Sequence, residues 1–173
     1  TLFTREQYDL GRQVWQRVGG QQMGSIWGHG SYVAPDWSAD WLHREASAML
    51  ALQARVETGL AYDSLPATEQ AKLQAALKPA MRGNTYNSAN GDIVVDDLRA
   101  QAISQVAAHY QSLFSNDPAT RGLREAYAMK EDTVPDAANR RAMTGFFFWT
   151  AWAAATDRPG NDNRTYTNNW PYE

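Results

Sequence analysis

Histidine and carboxylate spacing is the first place to look for chemistry in this chain. His29, His43 and His109 are its three histidines, the side chains that titrate nearest neutral pH. Asp36 and Asp40 fall between the first two, and Asp40 and His43 share a helix face at i, i+3. Neutral imidazole and carboxylate are workable ligands for a transition metal. A metal-dependent hydrolase would use His29, Asp40 and His43. The spacing matches no zinc signature, and the plainer account makes these residues caps and surface polar groups. His109, beside Tyr110 in the middle of a helical pattern, reads as a half-buried structural residue. The acid pairs Asp96-Asp97 and Glu131-Asp132 are expected at helix starts, where the helix dipole favours negative charge. No G-x-S-x-G elbow and no Walker or Rossmann glycine pattern occurs. With no cysteine, disulfides, thiolate metal sites, cysteine nucleophiles and thioether-linked haem are excluded.

A second segment carries recognition rather than catalysis. Residues Trp27-Gly28-His29-Gly30-Ser31-Tyr32-Val33-Ala34-Pro35-Asp36-Trp37 mix glycines, proline and large aromatics with no helical or strand period. Trp27, Tyr32 and Trp37 each bring an apolar body and a polar tip that needs a partner. The loop is therefore expected to pack on its own domain, a cofactor or a neighbouring protein. The tryptophans would also serve a sugar- or quinone-stacking surface, although core and interface roles are commoner for such residues.

Composition sets the limits. A chain of 173 residues is one domain with a real core, and a net charge of −3 without any basic stripe argues against nucleic-acid binding. The opening Thr1-Leu2-Phe3-Thr4 has no signal core. The longest apolar run, Gly145 to Ala155, is shorter than the ~20 residues a membrane span needs. The expectation is a soluble piece cut from a longer precursor.

Helical periodicity must position these residues. Thr4 and Gln7 form a capping-box pattern ahead of Tyr8, Gly11, Val14, Trp15 and Val18, and Gly19-Gly20 ends that helix. After the loop, Ser38 is the expected N-cap of a helix from Ala39 to Thr58. Asp63 or Ser64 begins the next, with Pro66 in its first turn and Gly83 as its stop. Asn90-Gly91, between Thr85-Tyr86-Asn87 and Ile93-Val94-Val95, predicts a two-residue hairpin turn and the only β structure. Asp96 or Asp97 caps a helix running to Leu113, which Asn116-Asp117-Pro118 ends. A short helix spans about Arg121 to Met129. Thr133 and Pro135 open the last helix, which ends near Thr156. Phe146, Phe147, Phe148, Trp149 and Trp152 cover more than one side of it, so it is expected at the centre of the core, with Gly145 meeting the first helix at Gly11. Residues 161–173, with Tyr166, Trp170 and Tyr172, read as a linker or an extension.

Two long strings carry a resemblance. The run from Gly19-Gly20-Gln21-Gln22-Met23-Gly24-Ser25-Ile26 through Trp37 resembles the start of the soluble region of quinol-dependent nitric oxide reductases. Phe146-Phe147-Phe148-Trp149-Thr150-Ala151-Trp152, followed by Tyr166-Thr167-Asn168-Asn169-Trp170-Pro171, looks like the segment that leads back into the membrane in that family. The resemblance implies a periplasmic domain of a membrane-bound enzyme that reduces nitric oxide to nitrous oxide with quinol electrons. It implies a cytochrome c-like helical frame without haem, because Gly20-Gln21-Gln22-Met23-Gly24 stands where cytochrome-dependent relatives carry C-x-x-C-H. The fold class so implied is mainly α, with an inserted helical segment and one small β-hairpin. Residues 1–160 would form the domain, 60–130 the insertion, and 161–173 a tail toward a membrane segment.

The same resemblance implies site roles. No catalytic residue and no cofactor belong to the fragment itself. The parent would hold haem b, haem b3, a non-haem iron and calcium, and its partners would be the membrane haem-containing part and quinol. Gly30, through its carbonyl oxygen, and Tyr32 match positions that help hold calcium in relatives, in the whole protein only. His29 replaces an acidic residue there. Trp27, Gly28, His29, Pro35 and Trp37 would form the docking loop. The alternative is a freestanding periplasmic binding module that stacks a flat ligand on Trp27, Tyr32, Trp37 and Trp41.

Overall fold

The computed structural model describes residues 1–31 and 33–167, the side chains of 161–163 excepted. Among them are six α-helices: α1 Arg5–Arg17, α2 Trp37–Thr58, α3 Ala67–Arg82, α4 Asp97–Leu113, α5 Arg121–Ala126 and α6 Ala137–Ala155. Two antiparallel ribbons complete the fold, β1 Tyr86–Asn87 with β2 Asp92–Ile93, and β3 Asp157–Arg158 with β4 Asn161–Thr165. No helix of the described residues is long and apolar enough to cross a membrane.

Side-chain caps set most of the helix starts. Thr4 and Gln7 form the reciprocal capping box of α1. Asp36, Asp96 and Asp136 each accept the backbone N–H three residues on, at 3.0, 2.7 and 2.8 Å. Each such cap is worth about 1 kcal/mol. Two starts differ from expectation. Asp36 rather than Ser38 caps α2, since a carboxylate can take several donors at once. Asp136 rather than Thr133 or Pro135 caps α6. Glu131-Asp132 accordingly lies in the turn before that helix, not at its start. Pro66 is itself the N-cap of α3, after a short 3-10 turn at Tyr62–Ser64.

One core joins all the long helices. Trp37 and Trp41 of α2, Tyr110 of α4, Phe114 just after it and Phe147 of α6 are buried together. Trp37 stacks on Phe147 with centroids 5.6 Å apart, and Trp41 stacks on Tyr110 at 5.3 Å. Burying each such ring is worth roughly 1.5–3 kcal/mol. The expectation of α6 at the centre holds for Phe146, Phe147 and Trp152, while Phe148 and Trp149 are only half-buried. The segment 60–130 supplies Leu73, Leu77, Met81, Ile103, Val106 and Tyr110 to this same core, so it is integral to the packing and not an appendage. A buried ion pair ties it in: Arg99 of α4 donates to Glu45 of α2 at 2.7 Å, and the Trp41 indole donates to the other Glu45 oxygen at 2.9 Å.

Helices α1 and α6 approach closely at Gly11. A Cβ there would stand 2.0 Å from the Ala142 carbonyl oxygen, so no larger residue fits this crossing. Gly145 does not meet Gly11. It faces the Phe3 ring, which stacks on Phe148 at 5.9 Å.

The hairpin register pairs Tyr86 with Ile93 and Asn87 with Asp92. Asn90-Gly91 therefore closes a four-residue loop rather than a two-residue turn. Gly91, at φ 79°, donates its N–H to the Asn87 carbonyl at 2.8 Å. The second ribbon departs from the expectation of a single hairpin, because Asn161-Asp162-Asn163-Arg164 has no apolar alternation to announce a strand. Gly160, at φ 72°, turns the chain back. Arg82 at the end of α3 donates to Asp157, and Asn84 donates to the Asp157 carbonyl at 3.0 Å and to the Tyr166 hydroxyl at 3.1 Å. Trp170 and Tyr172 lie outside the described residues.

Candidate functional site

The glycine-aromatic loop is built around one carboxylate. Asp36 is buried, and its Oδ2 accepts the Ser25 hydroxyl at 2.7 Å and the Gly28 N–H. Its Oδ1 accepts the Ser38 hydroxyl and the Ala39 N–H. Ser25 in turn accepts the Gly30 N–H at 2.7 Å. An isolated parallel bridge closes the base, with Trp37 donating its N–H to the Ser25 carbonyl at 2.8 Å. Gly30 sits at φ 82°, where a Cβ would lie 2.7 Å from the Ala34 carbonyl oxygen. Only glycine allows that turn.

The rings sort into two layers. Trp37 is 0% exposed and donates its indole N–H to the Met23 carbonyl at 2.8 Å. It belongs to the core, not to the outer face of the loop. Trp27 is 47% exposed, at a φ of 53°. Its indole N–H donates to the Thr150 carbonyl of α6 at 2.7 Å, and its backbone N–H to the Ser38 hydroxyl at 3.2 Å. Trp149 lies 6.1 Å from its ring, and Tyr8 of α1 lies 4.8 Å beyond. Gly28 and His29 are exposed and Pro35 is half-buried. Among the described residues of the loop, the exposed ones are thus Trp27, Gly28, His29 and Val33, with half-buried Trp149 and Tyr8 behind the Trp27 ring. Nothing local in the sequence marks Tyr8, Trp149 and Thr150 for this site, because their part in it depends on the packing of α1, the loop and α6.

The metal-hydrolase constellation does not assemble. Asp36 is used up by four donors. Asp40 accepts the Arg44 guanidinium at 2.9 Å and the Tyr110 hydroxyl. His29 is on the loop, and His43 lines a shallow groove between α2 and α4 together with His109. Among the described residues no group of three or more His, Asp or Glu could hold a metal ion. Burial, and secondarily the Arg44 charge, pushes the His109 pKa below its ordinary value. The stacking surface of the binding-module reading also fails to assemble, because Trp37 and Trp41 are both 0% exposed. Tyr32 lies outside the described residues. For calcium, which takes six to eight oxygens, the loop's own carboxylate, Asp36, has both oxygens already accepting hydrogen bonds. Further ligands have to come from elsewhere.

The mainly helical frame with a small antiparallel hairpin is consistent with a cytochrome c-like domain. A family model for the cytochrome c-like domain of the nitric oxide reductase component NorB matches residues 1–172, and the chain belongs to that family. No curated protein matches the sequence.

Proposed function

We propose that this chain is the haem-free, non-catalytic periplasmic domain of a quinol-oxidising nitric oxide reductase, seated on the membrane-embedded haem part by the loop around Trp27. The observation that carries this reading is the loop itself. It spends its hydrogen bonds internally on Asp36 and Thr150, and turns an indole and an imidazole outward without any acid–base constellation behind them. Such a surface suits recognition, since a rigid, exposed Trp offers large contact area at little entropic cost. The absence of cysteine supports the haem-free reading, because thioether attachment has no thiol to use. The dense packing of Trp37, Trp41, Tyr110, Phe114 and Phe147 supports it too.

In this reading the parent supplies haem b, haem b3, a non-haem iron and the quinol site. Calcium, if bound at this face, takes the Gly30 carbonyl and Tyr32 from this chain and its carboxylates from the membrane part. The test is Trp27→Ala in the full reductase, with the isolated chain measured beside it. The variant should lower the recovery of assembled, haem-loaded enzyme and quinol-driven nitric oxide consumption together, and the isolated chain should give no covalent haem stain. Unchanged assembly and activity in Trp27→Ala, or stoichiometric haem on the isolated chain, would overturn the proposal.

A further inference from the structure

Four oxidisable rings run in series from the surface to the centre of the core. Tyr127, half-buried, stands edge-on to Trp37 with centroids 5.9 Å apart. Trp37 stands edge-on to Tyr110 at 6.0 Å. Tyr110 lies nearly parallel to Trp41, with centroids 5.3 Å apart and an interplanar angle of 7°. Electron exchange between rings this close is fast on any biological timescale.

The polar atoms of two of these rings meet carboxylates. The Tyr110 hydroxyl donates to Asp40, and the Trp41 indole N–H donates to Glu45 at 2.9 Å. Burial first, and the Asp40 charge second, hold the Tyr110 pKa well above its ordinary value, so the resting phenol keeps its proton. An oxidised phenol is a very strong acid, and it releases that proton to whatever base it touches. An indole radical is far less acidic, and Glu45 is fully buried in its pair with Arg99 at 2.7 Å, whereas Asp40, paired with Arg44 at 2.9 Å, keeps part of its carboxylate in contact with solvent. The hole therefore settles on Tyr110. Having no cysteine, the chain offers no thiol that would intercept it.

We propose that Tyr110, with Asp40 as its proton acceptor and Trp37 and Tyr127 as its path to the surface, is a redox site that takes up a single oxidising equivalent and holds it as a neutral tyrosyl radical. The reactant is a one-electron oxidant strong enough to oxidise a phenol. The oxidant gains one electron, Tyr110 loses one, and the phenolic proton passes to an Asp40 oxygen. No heavy-atom bond forms or breaks. Re-reduction by one electron returns the proton to Tyr110. The site does not depend on the docking role proposed for the loop.

The test is photo-oxidation of the 173-residue chain by a soluble ruthenium polypyridyl with a sacrificial electron acceptor, followed by freezing and electron paramagnetic resonance. Wild type should give a tyrosyl signal whose g-tensor at high field is that of a hydrogen-bonded phenoxyl, as the Asp40 partner requires. Tyr110→Phe should lower that signal at least several-fold and leave a tryptophan radical. Asp40→Asn should lower the yield while circular dichroism shows an intact fold. A tyrosyl signal of undiminished size in folded Tyr110→Phe would overturn the proposal. So would a wild-type signal whose g-tensor shows no hydrogen bond to the phenoxyl oxygen, which needs no variant to fold.

Discussion

The indole N–H of Trp27 donates to the carbonyl oxygen of Thr150 at 2.7 Å, across 123 residues of chain. This bond fixes the exposed ring of the loop to the most buried helix of the domain. It also offsets part of the cost of the left-handed backbone at Trp27. Trp27→Phe keeps an aromatic ring and deletes the donor. It should lower stability by about 1 kcal/mol and speed hydrogen exchange at the Gly28 and Gly30 amides. Denaturant unfolding and exchange measured by mass spectrometry check both effects.

Asp36 is the hub of the same loop, accepting from Ser25, Gly28, Ser38 and Ala39. Asp36→Ala removes a helix cap and strands buried donors, a combined loss of about 2–4 kcal/mol. Asp36→Asn keeps acceptor capacity on one atom and should fall between. Thermal unfolding of the three proteins should rank them in that order.

Two glycines make a paired test of the packing. Gly11→Ala must push α1 away from the Ala142 carbonyl and should cost at least about 1–3 kcal/mol. Gly145→Ala places its Cβ 3.0 Å from the edge of the Phe3 ring, which belongs to the N-terminal segment and can yield. It gains about 1 kcal/mol of helix propensity, so its net effect should be small. Equal losses from the two substitutions would contradict this account.

The pair Glu45–Arg99 is buried on both sides, at 0% and 4% exposure. Glu45→Leu leaves a buried guanidinium without its partner and should cost about 3–5 kcal/mol. Adding Arg99→Met should recover part of that loss, the Trp41 indole N–H remaining without its Glu45 acceptor. A double-mutant cycle in guanidinium chloride measures the coupling, and additive losses would show that the pair is not linked as described.

His109 makes stability depend on pH with a definite sign. Burial, then Arg44, depress its folded pKa below the ordinary 6.5, with Asp40 opposing. The unfolded chain therefore binds the proton more readily than the native one. Stability should fall as pH drops below about 6.5 and stop falling below the folded pKa. His109→Gln should flatten that part of the stability profile, as read by unfolding midpoints across the range.

Much of the helical frame is legible in the sequence because its signals are local. Thr4 with Gln7, Gly83, Asp96 and the aromatic run at 146–152 each carry their message within one or two turns. The loop is legible as irregular and important, but not its interior. Nothing in the sequence says that Ser25 and Asp36 meet, or that Trp37 points inward while Trp27 points outward. Those choices depend on where α6 lies. Asp36 outcompetes Ser38 as the cap because its second oxygen also closes the loop, a tertiary advantage that no capping rule scores. The ribbon at 157–165 has no local signal, because its pairing is held by Arg82, Asn84 and Tyr166 rather than by alternating apolar residues.

That ribbon has a mechanical consequence. It follows α6 directly, yet it is moored to the far end of α3 through Arg82 and Asn84, and to α6 through the Trp152–Tyr166 contact. A tension applied at Thr167 is thus split between two helices instead of peeling α6 from its own end. The arrangement works as a guy-line. A pull at Thr167 must first strip Tyr166 from Trp152 and Asn84, and only then bears on the Arg82–Asp157 mooring and on the end of α6.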